Sequence, residues 1–323
     1  MSAVIQFDKV TKMYGGHFAL NEVSMEVPEG SVFALLGENG AGKTTSLRIL
    51  LGLVDADHGK SSILGLDGAT QGVEIRRRVG YVPEQPDLYD WMSVREIGWF
   101  ASGFHGEGYR EGYQRLIEGF RIPAAKRIKT LSKGMRAKVS LALALAHDPD
   151  VLILDEPTSG LDAIVRREFL ESMVDRAALG KTVLLSSHQI NEVERVADYV
   201  AIIRDGALLM VEKLDEIKGD TFRVSVVLTV EIATNEDAED RSAPKLPGLV
   251  LEERQHDREY EAIVRGTTHD ELAGLINRPE IDNIEISKPN LEEIFVAYMT
   301  RNGDEKKKKA PMATPTIANG IMW

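Results

Sequence analysis

Not one of the 323 residues is a cysteine, so disulfides, thiol catalysis and cysteine-ligated metals are excluded at once. Aromatic residues make up only 6% of the chain. No run of about 18 apolar residues occurs that would span a bilayer. The N-terminus lacks the basic and apolar regions of a secretory signal, and Met1 to Asp8 reads as the start of a strand. Positive charge is the minority sign: 39 Lys and Arg stand against 51 Asp and Glu, for a formal net charge of −12. That balance argues against a nucleic-acid-binding surface. A soluble chain in a reducing cytoplasm is the expectation.

What the chain does contain is an ordinary globular balance, 43% hydrophobic and 28% charged, enough for a large domain and a smaller one. From residue 1 to 217, short β-rich runs alternate with helical patterns, which predicts an α/β domain. Val151 to Leu154 and Val183 to Leu185 are unbroken apolar runs, as in strands covered on both faces. Asp205-Gly206 between two such runs predicts a hairpin. Residues 87 to 145 read as a helical insertion. Within it, Val139 to Leu145 alternates like a strand, but its Ala and Leu leave no polar face and favour a buried helix.

Past residue 218 the pattern changes to a small α+β domain ending near Arg301. Phe222 to Ile232 alternates as a strand, and Ala233 to Pro247 is acidic and loop-like. Leu249 to Gln255 and Glu259 to Arg265 read as a hairpin. Thr268 with Glu271, and Asn290 with Glu293, have the spacing of helix capping pairs. Residues 302 to 323, with Lys306 to Lys309, are expected to be a disordered tail.

The chemistry starts at Gly37, Glu38, Asn39, Gly40, Ala41, Gly42, Lys43, Thr44 and Thr45. This stretch follows the apolar run Val32 to Leu36 and precedes a helical pattern. Strand, glycine-rich loop and helix in that order make a phosphate-binding loop. Glycines let backbone N–H groups turn toward phosphate oxygens, Lys43 can reach the β- and γ-phosphates, and the Thr44 hydroxyl can join the shell of a Mg²⁺ ion. Farther on, the strand Val151 to Leu154 delivers Asp155 and Glu156 at its C-terminal end, where α/β sheets place ligands. Asp155 is the candidate for Mg²⁺ and Glu156 for polarising the attacking water. A bare helix-capping role is the structural alternative for this pair.

These two motifs, with Leu131-Ser132-Lys133-Gly134-Met135 between them, resemble the ATP-binding subunit of ABC transporters. The resemblance implies a P-loop cassette with a helical subdomain that hydrolyses ATP with Mg²⁺. The usual signature is Leu-Ser-Gly-Gly-Gln. This chain departs from it at Lys133 and Met135 and keeps Ser132 and Gly134. In the family those two residues face nucleotide bound to the opposite subunit, so two subunits, alike or different, sandwich two ATP molecules. Ser159 to Asp162 is similar to the loop that crosses that interface, His188 matches the switch histidine, and Tyr14 stands where an aromatic stacks on adenine. Gly80 to Gln85 resembles the glutamine loop, with Glu84 aligned at the metal-sensing position and Gln85 as its alternative.

The resemblance further implies a polytopic membrane permease as partner and a place on the inner face of the cell membrane. The C-terminal extension, ending in Asn290 to Phe295, is similar to those of exporter-type members. A soluble ABC-type ATPase of ribosomes, cluster assembly or repair is the alternative. Such members usually carry two cassettes or long coiled coils, and this chain has one cassette and no sustained heptads. No Asn-Lys-x-Asp motif is present to support a GTPase.

Overall fold

The computed structural model describes residues 3–229 and 244–309. The chain opens with a hairpin, β1 (Ala3–Tyr14) and β2 (His17–Pro28), and continues into β3 (Val32–Leu36) and helix α1 (Lys43–Leu50). β4 (His58–Ile63) and β5 (Leu66–Asp67) return to the hairpin and complete an antiparallel sheet of order β2-β1-β4-β5. Helix α2 (Gly72–Arg78) leads to β6 (Val79–Val82).

The helical insertion follows as α3 (Val94–Ser102), α4 (Tyr109–Gly119) and α5 (Lys133–Leu145). Val139 to Leu145 is helical, despite its alternation, because Ala and Leu pack it on both flanks. Ser93 and Glu96 form a reciprocal capping box at the start of α3. The insertion has its own core, in which Val94, Ile97, Tyr113, Ile117 and Val139 meet.

β7 (Val151–Asp155), α6 (Ala163–Ala178), β8 (Thr182–Ser187), α7 (Ile190–Val193), β9 (Tyr199–Arg204) and β10 (Ala207–Lys213) complete this part. The second sheet has the order β10-β9-β3-β8-β7-β6, parallel except for β10, which pairs with β9 through the Asp205-Gly206 turn. Every residue of β3, β7 and β8 is buried, which explains the apolar runs Val32 to Leu36, Val151 to Leu154 and Val183 to Leu185 within them. The antiparallel sheet closes over one face of the parallel one. Ile5, Leu20 and Ile63 share a core there with Phe33, Leu47, Ile153 and Leu184. Each such side chain contributes roughly 1.5–3 kcal/mol by leaving water. The consequence for function is an order: β3, β8 and β7 lie side by side and parallel, so their C-terminal ends open onto the same edge.

The chain divides into two compact units between Ile217 and Lys218, within α8 (Leu214–Asp220). The second unit holds β11 (Thr221–Leu228), β12 (Leu249–His256), β13 (Glu259–Arg265), α9 (His269–Ala273), β14 (Ile281–Ser287) and α10 (Leu291–Lys309). Its antiparallel sheet has the order β12-β13-β11-β14 over a core of Val224, Val226, Val264 and Leu272. Both capping pairs form: Thr268 with Glu271 at α9, and Asn290 with Glu293, whose backbone and side chains exchange bonds of 2.9 and 2.8 Å.

Two expectations meet limits here. Helix α10 is described as far as Lys309, past residue 302 where the tail is expected to begin. The expected disorder of residues 310 to 323 lies outside the described residues, as does most of the acidic loop after β11.

Candidate functional site

The phosphate loop bridges β3 and α1, and two of its glycines are fixed by packing. Gly42 has φ of 109°, and a Cβ there would lie 2.3 Å from the Ala19 carbonyl oxygen. Gly37 is pressed as closely against Ile203, at 2.5 Å from its carbonyl to the position of a Cβ. The loop thus approaches its neighbours backbone to backbone, which only glycine permits. α1 starts at Lys43 with no side-chain cap on Gly42 and no acidic residue in its first turn, which leaves its N–H groups for an anion.

Lys43 is buried, with 6% of its side chain exposed. Its ammonium donates to the carbonyls of Gly37 at 2.7 Å and Glu38 at 3.2 Å, and lies 3.0 Å from Glu156 Oε1. The adjacent Thr44 hydroxyl donates to Asp155 Oδ1 at 3.1 Å. Asp155 ends β7, where it stands opposite Ser186 of β8 in the ladder. The Ser186 hydroxyl donates to the same carboxylate oxygen at 2.6 Å and accepts from the Glu156 backbone N–H at 3.1 Å.

Glu156 takes a left-handed backbone, φ 48°, unusual for a residue with a side chain. Such a conformation costs roughly 1–2 kcal/mol. It persists because Ser186 anchors the N–H while the carboxylate is gripped from two sides. Lys43 holds one oxygen; the other lies 2.7 Å from His188 Nδ1 and accepts from the His188 backbone N–H at 3.3 Å. A carboxylate only accepts, so the ring contact puts the imidazole proton on Nδ1.

The structure therefore brings Lys43, Thr44, Asp155, Glu156 and His188 into one connected set. Ser186 belongs to it as well and was missed in the sequence. Its signal was a serine pair closing an otherwise apolar buried strand, since a buried hydroxyl requires a partner.

Other candidates stand apart from this set. Tyr14 ends β1 with its ring half exposed and Lys12 Nζ 5.4 Å from the ring centroid. Glu84 and Gln85 follow β6, the strand beside β7, and both are exposed; among the described residues neither is bonded to Thr44 or Asp155. Ser132 caps α5 by accepting from Met135 N–H at 3.2 Å and is exposed, whereas Gly134 is buried against Val165. Asp162 caps α6 through Ile164 and Val165 N–H groups, both at 3.0 Å. Among the described residues, no helix is long and apolar enough to cross a membrane.

Comparison with known proteins agrees with this geometry. The ABC transporter family profile matches residues 20–159. The bacitracin transport ATP-binding protein BcrA of Bacillus licheniformis is 31% identical over 312 residues, which cover 92% of this chain and 97% of that protein. The Nod factor export ATP-binding protein I of Cupriavidus metallidurans is 36% identical over 223 residues, 67% of this chain and 73% of its own. Among solved structures, the dimeric structure of a bacterial ABC transporter cassette superposes with a TM-score of 0.58 at 26% identity, over 65% of this chain and 98% of that one. Likeness at this level across almost the full length of a relative shows that the chain belongs to the ABC transporter ATP-binding proteins, ATP-binding ATPases that power a membrane transporter.

Proposed function

We propose that the chain binds Mg-ATP on Gly37 to Thr45, hydrolyses it with Glu156, and serves as one half of a nucleotide-closed dimer that drives export through a membrane permease. One observation carries this reading: the ends of β3, β7 and β8 bring an ammonium, a hydroxyl, two carboxylates and an imidazole into one bonded set.

In this reading Lys43 exchanges its carbonyl and carboxylate partners for β- and γ-phosphate oxygens, and α1 presents its free N–H groups to the same anion. Thr44 and Asp155, with Glu84 at the neighbouring loop, would hold Mg²⁺. Oxygen-only ligands suit that ion, and it takes few of them from protein when phosphates supply others. Bound there, it would draw off negative charge from the phosphate oxygens. Glu156 accepts a proton from the water whose oxygen attacks the γ-phosphorus, and the bond to the bridging oxygen breaks to release ADP. His188 holds Glu156 by Nδ1–H, and as an imidazolium it would also donate its other N–H to a γ-phosphate oxygen. Tyr14 offers a ring face to adenine.

The exposed Ser132 at the N-terminus of α5, with Gly134 behind it, is suited to nucleotide on a second subunit. A dimeric relative supports that role, and a relative named for Nod factor export supports outward transport. Attachment to a permease would place the chain at the inner face of the cell membrane.

The test is Glu156→Gln with ATP, followed by light scattering and turnover. Turnover is expected to drop by about 10²–10⁴-fold, with ATP still bound and an ATP-dependent dimer accumulating. Turnover at the wild-type rate removes Glu156 as the base. Recovery of the chain with ribosomes, and without a polytopic partner, from detergent-solubilised membranes would instead favour the soluble alternative.

A further inference from the structure

The loop Ser159 to Asp162 is flanked on both sides by side chains outside the bonded set at the phosphate loop, and one of them bonds it. On one flank lies Lys133, where the signature departs from its usual glycine. A Cβ on Gly160 would come 2.1 Å from Lys133 Nζ, and Gly160 has φ of 66°, so the bare glycine makes room for the lysine. On the other flank Arg166 Nη2 donates to the Leu161 carbonyl at 3.1 Å, while its Nε lies 3.0 Å from Glu192 Oε1. Glu192 sits in α7, the single helical turn that follows His188.

Glu192 is 12% exposed, and among the described residues neither carboxylate oxygen has an aligned hydrogen-bond donor. Arg166 is the cation that offsets its charge. The Arg166 side chain is 36% exposed, and an ion pair only partly withdrawn from water adds little to stability. What it does fix is position. One guanidinium spans two segments whose other ends both reach Glu156: Ser159 N–H donates to the Glu156 carbonyl at 3.1 Å, and His188 lies 2.7 Å from its carboxylate.

We propose that Arg166 is a positioning residue for ATP hydrolysis. It locks the Ser159–Asp162 loop and the His188 turn into one register, so that a shift of the loop reaches the His188–Glu156 contact. Arg166 acts through Leu161 and Glu192 and not on the nucleotide itself. The inference rests on the assignment of Glu156 and His188 to hydrolysis.

The test is steady-state ATP turnover by the full chain carrying Arg166→Met with Glu192→Leu. Replacing both ions by apolar side chains of similar volume is expected to move the thermal midpoint little, since a partly exposed pair adds little to stability. The kcat is expected to fall roughly tenfold, with KM for ATP and affinity for ADP within about twofold of wild type. Arg166→Lys keeps the charge but not the fork that spans both partners, and recovers only part of the loss. Glu192→Gln keeps the shape, removes the charge and lowers kcat alone, which secures the test should the double variant fold poorly. A folded double variant with wild-type kcat overturns the proposal, as does a loss of turnover that only tracks loss of folded protein. Should Glu156→Gln hydrolyse ATP normally, the underlying assignment fails instead, whatever the Arg166 variants do.

Discussion

Lys43 Nζ and Glu156 Oε1 are 3.0 Å apart in a site where both side chains are almost fully buried. The ammonium and the carboxylate neutralise each other. In the proposed function, where Lys43 takes phosphate and Glu156 the water, an incoming nucleotide would compete directly with this pair, so that phosphate binding and release of the Glu156 carboxylate would be one exchange.

Lys43→Met leaves Glu156 charged and buried without its cation, and the fold is expected to lose about 3 kcal/mol. Nucleotide affinity should weaken by at least about tenfold, as for any lost charged contact to phosphate. Adding Glu156→Gln to this variant is expected to restore stability but not affinity. Urea unfolding and calorimetric titration with Mg-ATP read the two effects separately. A double variant no more stable than Lys43→Met would show that the ion pair is not the source of the loss.

Gly42 and Gly40 both have positive φ, 109° and 85°, but only Gly42 faces a backbone carbonyl at clashing distance. Gly40→Ala meets nothing within 4 Å and is expected to cost roughly 1–2 kcal/mol of backbone strain. Gly42→Ala must move the Ala19 strand as well, and is expected to cost visibly more. Thermal unfolding of the two variants side by side checks the order; equal losses would mean that φ alone decides.

Tyr14 is half exposed, so its ring does little for the core. Tyr14→Ala is expected to weaken ATP binding about threefold to tenfold, the value of one aromatic stack, with kcat unchanged. Tyr14→Trp should retain affinity. Inorganic tripolyphosphate, which has no base, is the control ligand: if its binding weakens equally, Tyr14 acts on the phosphates or the fold and not on adenine.

His147 lines a cavity of about 950 Å³ with Arg77 and Asp148, and its ring stacks on His105 at 4.7 Å between centroids. Burial, aided by repulsion from His105, pushes the His147 pKa down to about 4. The unfolded chain takes up this proton near pH 6.5, the folded one only near 4. Stability is therefore constant above about pH 6.5 and falls as pH drops toward 4, by roughly 1–2 kcal/mol once partial solvent contact is allowed for. His147→Phe is expected to flatten that slope. Denaturant midpoints at neutral and mildly acidic pH measure it, and a slope unchanged by the substitution assigns it elsewhere.

Local signals in the sequence were reliable where the physics is local. The β3–loop–α1 order, the β9–β10 turn and the Thr268 and Asn290 caps each depend on a few adjacent residues, and each forms. The alternating Val139 to Leu145 needed composition as well as period to be read as helix. Glu84 and Gln85 remained an open pair in the sequence; both are exposed past β6, so their neighbours do not separate them.

By itself, the sequence determined that strands end in a glycine loop, in Asp155-Glu156 and before His188, because each motif is contiguous. Which of these groups touch was decided by the tertiary structure. Strand order β3-β8-β7 inserts β8 between the other two, and this crossover leaves no trace in local periodicity. It is what places Ser186 against Asp155, His188 against Glu156, and Glu156 against Lys43. Arg166 likewise acquires its partners only once α6 and α7 are packed, since hydrogen bonds and ion pairs depend on ångström distances that only the folded chain sets.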